Sequence, residues 1–95
     1  MLELTERWQF AAADIVVRAW EGQMVAYDRR SGDTHCLDMV ASALVSRFVQ
    51  FRTSTETELR DALVRDIDAG TETDALLSGA LRELERLKLV RRIAD

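Results

Sequence analysis

His35 and Cys36 are the two side chains of this sequence that could bind a metal ion or form a nucleophile and its base. His35 is the only histidine and Cys36 the only cysteine. A structural zinc site usually takes four ligands, and a catalytic cysteine needs an imidazole within hydrogen-bond reach. The two residues lie in a run that predicts a β-strand, where neighbouring side chains project to opposite faces. The sequence therefore predicts no metal site, no catalytic residue and no cofactor.

The composition indicates one domain over residues 1–95, with a modest core. The chain has 95 residues, of which 47% are hydrophobic, and a formal net charge of −4. An acidic chain offers no overall positive field to attract nucleic acid or an anionic membrane. The opening residues Met1–Leu4 run straight into charged residues, and no apolar stretch approaches the roughly 20 residues of a membrane-spanning helix. A cytoplasmic protein is expected.

The first 38 residues predict β-strands. Residues 15–20 and 23–28 are rich in β-branched and aromatic side chains, and a two-residue loop, Glu21-Gly22, suits a hairpin turn between them. Turn-forming residues at 29–33 then precede a third extended segment, Thr34–Leu37. Residues 7–10 are interpreted either as an extra edge strand of this sheet or as a segment packed across it.

The rest of the chain repeats apolar residues at helical spacing. Asp38 is placed to cap a first helix over about residues 39–51. Thr55 and Glu58 have the spacing of a capping box for a second helix, which residues 68–70 should end. A third helix is predicted from Thr71 or Thr73 to about Lys88, followed by an extended tail at residues 89–93. Strands followed by helices indicate an α+β fold, with a three-stranded antiparallel sheet before three helices.

The third helix has an apolar stripe wider than one packing contact requires. On a helical projection one side of the stripe holds Leu76, Ala80 and Leu87, and the other side holds Leu77, Leu81 and Leu84. Either the other elements cover the entire stripe, or one flank faces a groove. A groove between an apolar helix flank and an exposed sheet edge could bind an extended peptide by strand addition.

The run Val25–Asp28, followed by Ser31–Asp38 and then an apolar helix, resembles the PqqD-like family. The branch associated with HPr-kinase-related proteins is the most similar. PqqD-like domains are RiPP recognition elements, small winged-helix-like domains that bind the leader of a precursor peptide and present it to a modifying enzyme. The resemblance implies a non-catalytic peptide chaperone in natural product biosynthesis. Its partners would be a leader peptide and an enzyme, which could be an HPr-kinase-related protein.

The resemblance also implies a peptide-binding site between the third strand and the third helix. In the family the leader pairs as an added strand with the third strand and lies against the third helix. The residues implied here are Thr34, His35, Cys36, Leu37, Leu77, Leu81, Leu84 and Lys88.

Three other interpretations of the chain remain open. Three helices with β elements could form a winged-helix DNA-binding protein, although Arg82 and Arg86 alternate with Glu83 and Glu85 on the helix that would read DNA. The same groove could instead hold an enzyme that this chain stabilises as an accessory subunit. An uncovered sheet edge would also support a homodimer.

Overall fold

The computed structural model describes residues 6–21, 23–67 and 72–94. Over these residues the chain forms three helices and two three-stranded antiparallel sheets. The elements in chain order are β1 (Glu6–Phe10), β2 (Ile15–Trp20), β3 (Gln23–Asp28), β4 (Thr34–Leu37), α1 (Met39–Phe51), β5 (Thr53–Thr55), α2 (Glu56–Asp66), α3 (Thr73–Arg86) and β6 (Val90–Ala94). The predicted α+β class is confirmed.

The sheet β2–β3–β4, here called the β3 sheet, is the predicted three-stranded sheet. β2 and β3 pair residue for residue from Ile15–Asp28 to Trp20–Gln23, on either side of the expected two-residue loop. Glu21 takes the positive φ of 52° that a tight hairpin turn requires, and Gly22 lies outside the described residues. Gly32, with φ of 80°, serves the same purpose in the turn between β3 and β4.

The second sheet, β5–β1–β6, here called the β1 sheet, corrects two interpretations of the sequence. Residues 7–10 neither extend the β3 sheet nor cross it, because β1 is the central strand of a separate sheet. The expected C-terminal tail is β6, which pairs with β1 from Glu6–Ala94 to Phe10–Val90. Strands more than eighty residues apart share no turn, so local sequence signals could not reveal this pairing.

The helix starts follow the predicted caps. The side chain of Asp38 accepts a hydrogen bond from Ala41 N at 2.8 Å at the start of α1. Thr55 and Glu58 form a reciprocal capping box at the start of α2, with bonds of 2.8 and 3.2 Å. α3 begins at Thr73, one of the two starts proposed. The other, Thr71, and the stop signal at residues 68–70 lie outside the described residues.

The core lies between the helices and both sheets. The rings of Phe10 in β1 and Phe48 in α1 stack with centroids 6.2 Å apart. The β3 sheet adds Ile15, Ala26 and Leu37 to the same cluster of buried side chains. No helix in the described part of the chain combines the length and the apolar composition needed to cross a membrane.

Candidate functional site

β4 is an edge strand with one face toward the core and one toward solvent. Leu37 is buried and His35 is half-buried on the inner face, whereas Thr34 and Cys36 are exposed on the outer face. The predicted opposition of His35 and Cys36 is confirmed. Cys36 is a free cysteine with an exposed side chain.

The hydrogen bonds of the β3 sheet determine which backbone groups of β4 point outward. Antiparallel pairs alternate between bonded and non-bonded, and Asp28 N–H donates to Asp33 O at 2.8 Å. Continuing along the register, the next bonded pairs are Ala26–His35 and Met24–Leu37. The N–H and C=O groups of Thr34 and Cys36 therefore point away from β3, toward the free edge.

Helix α3 passes near His35, on the inner face of β4. His35 is close enough to Glu83 to contribute to a lowered pKa of that carboxyl, although the main cause is the hydrogen bond from Arg86. Arg86 Nε donates to Glu83 Oε2 at 3.0 Å. On the helix surface the neighbours of Glu83 at i−3 and i+4 are Ala80 and Leu87. The flank of α3 that contains these two residues therefore lies on the side of β4.

The structure places Leu77, Leu81 and Leu84 in the core. Their exposed fractions are 0%, 4% and 1%, so these three side chains do not line an open groove beside β4. The opposite side of the stripe, with Leu76, Ala80 and Leu87, is only half-buried. Helical periodicity shows that a stripe is wide, but it cannot show which flank the rest of the chain covers. The apolar flank beside β4 is therefore the one that the sequence interpretation did not select.

Arg30 connects the β3–β4 turn to the end of α3. Its guanidinium binds the Asp28 carboxylate through two bonds of 3.0 and 3.1 Å, and its Nη2 also donates to Lys88 O at 2.7 Å. The hydrogen bond from the Arg30 side chain lowers the pKa of Asp28, whose side chain is almost fully buried. This contact fixes β4 relative to α3, and sequence reasoning missed it.

Lys88, the last of the predicted peptide-binding residues, sits where the chain leaves α3. It adopts a positive φ of 64°, and the bonds Lys88 N to Glu85 O and Leu89 N to Leu84 O, both 3.0 Å, form a Schellman motif. Its side chain is exposed, and its carbonyl is held by Arg30. Lys88 thus lies where the β3–β4 turn meets the end of α3.

The edge of β4 is not part of an enclosed pocket suited to a small molecule. A cavity of about 530 Å³ lies nearby, but it is lined by the β1–β2 loop, Arg30, the end of α3 and β6, without any residue of β4. Within the described residues, no cluster of three or more histidine, cysteine or acidic side chains could hold a metal ion. The accessible chemistry of the edge is that of its backbone.

Comparison with protein-family models, with curated proteins and with solved structures found no match to this chain.

Proposed function

We propose that this protein is a non-catalytic, cytoplasmic adaptor of the PqqD-like type, which binds an extended leader peptide along β4 and presents it to a modifying enzyme. The observation that carries the proposal is the pair of outward-pointing backbone units at Thr34 and Cys36, beside a half-buried apolar flank of α3. The resemblance of residues 31–38 to PqqD-like domains supports the choice of a leader peptide, and the associated branch supports an HPr-kinase-related enzyme as the partner.

Strand addition supplies both affinity and selectivity here. Each main-chain hydrogen bond between the peptide and Thr34 or Cys36 contributes about 0.5–1.5 kcal/mol net. Alternate peptide side chains face α3, where apolar groups can cover Leu76, Ala80 and Leu87. Each Å² of apolar surface buried there contributes about 25 cal/mol to the binding free energy. A peptide with apolar residues at positions i and i+2 fits this groove best.

Of the alternatives, DNA binding gains no support from the exposed face of α3. Arg86 donates hydrogen bonds to Glu83, and Glu83 and Glu85 lie between Arg82 and Arg86, so the two arginines do not form a basic surface. An accessory-subunit role would use the same groove but would require a folded enzyme. Binding of a short free peptide distinguishes the adaptor from that subunit.

The test uses a peptide selected from a display library of random short peptides against the immobilised protein. Cys36→Pro removes an N–H that points to the free edge while leaving the bonded pairs with β3 intact, and edge strands tolerate proline. We expect the dissociation constant of the selected peptide to rise roughly tenfold or more, because a main-chain bond is lost and the ring obstructs the added strand. Isothermal titration calorimetry measures it.

Cys36→Ala is the matched control, because it removes the thiol but keeps the N–H. We expect its affinity to stay within about threefold of the wild type. Circular dichroism shows that both variants are folded. Equal affinity of a folded Cys36→Pro variant and the wild type would contradict binding at this edge.

A further inference from the structure

The outer edge of β2 is the least protected strand edge in the described part of the chain. Natural sheets protect their edges with short strands, charged residues or a covering element. β4 is four residues long, β5 is three residues long, and β6 carries two exposed arginines, Arg91 and Arg92. β2 is six residues long, contains one charged residue, Arg18, and pairs with β3 without a bulge.

The backbone of β2 offers hydrogen-bonding groups along this edge. Arg29 N–H donates to Asp14 O at 2.8 Å, so the bonded pairs with β3 continue at every second residue. Those pairs are Val16–Tyr27, Arg18–Val25 and Trp20–Gln23. The N–H and C=O groups of Val17 and Ala19 therefore point outward, and the N–H of Ile15 is already bound to Ala11 O at 3.1 Å.

We infer that the outer edge of β2 binds the same edge of a second copy of this chain, in antiparallel register about Val17, to form a continuous six-stranded sheet. In this register Val17 of each copy exchanges both main-chain bonds with Val17 of the other, and each Ala19 N–H donates to Ile15 C=O. This dimer interface lies at the opposite edge of the β3 sheet from the peptide site. The inference is therefore independent of the proposed function.

The charges on β2 favour this register and this occupant. Pairing centred on Arg18 would place two guanidinium groups directly opposite each other, which is destabilising. Pairing centred on Val17 instead places Arg18 opposite Val16 of the second copy. Val16 is the cross-strand neighbour of Tyr27, whose side chain is 43% exposed. The Arg18 guanidinium of each copy can then lie over the Tyr27 ring of the other copy, which is a favourable cation–π contact. Because both paired strands have the same sequence, the contact between Arg18 and Tyr27 forms twice, once on each side of the symmetry axis.

An interface limited to one strand edge and its adjacent side chains is small, so the dimer should form reversibly with protein concentration. The test is sedimentation velocity of the wild-type protein from about 1 μM to about 1 mM, together with amide hydrogen exchange followed residue by residue by NMR over the upper part of that range. We expect exchange at Val17 and Ala19 to slow about tenfold once nine-tenths of the chains are paired. Val16 and Arg18, already bonded to β3, should be protected at every concentration.

Val17→Pro removes the N–H at the symmetry axis without removing a bond to β3, and Val17→Thr keeps that N–H as the matched control. We expect the proline variant to remain monomeric and the threonine variant to associate like the wild type. A wild-type chain that stays monomeric at about 1 mM, with Val17 and Ala19 exchanging as freely as at low concentration, would overturn the inference. Association that slows exchange at the amides of Thr34 and Cys36 instead of Val17 and Ala19 would also overturn the inference. The wild-type exchange measurement decides the question even if the proline variant does not fold.

Discussion

At the scale of single residues, the contact between Asp28 and Arg30 matters most for the geometry of the site. Asp28 is a buried carboxylate, and it holds the guanidinium that in turn binds the Lys88 carbonyl at the end of α3. The turn between β3 and β4 is thereby tied to the end of α3, the helix proposed to form the other wall of the peptide groove. Removing either partner should loosen β4 as well as destabilise the fold.

The Asp28 contact predicts a specific dependence of stability on pH. Because the folded state lowers the pKa of Asp28, its contribution is complete above the unfolded-state value of about 3.9. That contribution is lost as pH falls through the lower folded-state pKa. We expect Asp28→Asn to destabilise the protein at about pH 7 and to differ progressively less from the wild type toward about pH 2.

Urea denaturation of both proteins across this pH range measures the difference in unfolding free energy. Asp33→Asn is the control, since Asp33 is an exposed carboxylate in the same β3–β4 turn, directly before β4. A difference between wild type and Asp28→Asn that stays constant with pH would show that the charge of Asp28 plays no part.

At the scale of elements, the division of α3 into two apolar flanks is the main structural finding. One flank, with Leu77, Leu81 and Leu84, packs in the core, and the other, with Leu76, Ala80 and Leu87, is half-buried beside β4. Both flanks are apolar in sequence, but they have different roles in the fold. Substitutions on them should therefore separate stability from binding.

We predict opposite effects for Leu84→Ala and Leu87→Ala. Leu84 is fully buried, so its truncation should cost about 2–5 kcal/mol of unfolding free energy and leave the affinity of the remaining folded protein nearly unchanged. Leu87 is half-buried, so its truncation should cost less stability and weaken peptide binding. Denaturation gives the first quantity and calorimetry gives the second. A Leu84→Ala variant that is stable but fails to bind would instead support the flank expected from sequence.

At the scale of the whole molecule, the sequence predicted the local features of the fold well. The hairpin around Glu21, the Asp38 cap and the Thr55–Glu58 capping box all depend on residues within a few positions of one another, and all are confirmed. The opposite directions of His35 and Cys36 follow from the period of a strand, and they too are confirmed.

Features that depend on distant residues could not be predicted. The pairing of β1 with β6 joins the two ends of the described chain, and the contact between Arg30 and Lys88 spans 58 positions. Which flank of α3 is buried also depends on distant residues, because the positions of both sheets determine it. Strand β4 and helix α3 could thus be located from sequence, whereas the flank of α3 that stays outside the core could not.

The most direct test of the central claim is amide hydrogen exchange at β4 with and without a selected peptide, at a protein concentration low enough to keep the chain monomeric. We expect saturating peptide to slow exchange at Thr34 and Cys36 by about tenfold or more, because their N–H groups gain partners. His35, already bonded to β3, should change little. Slowed exchange confined to α2 or to the outer edge of β2, with Thr34 and Cys36 unaffected, would contradict peptide capture by β4.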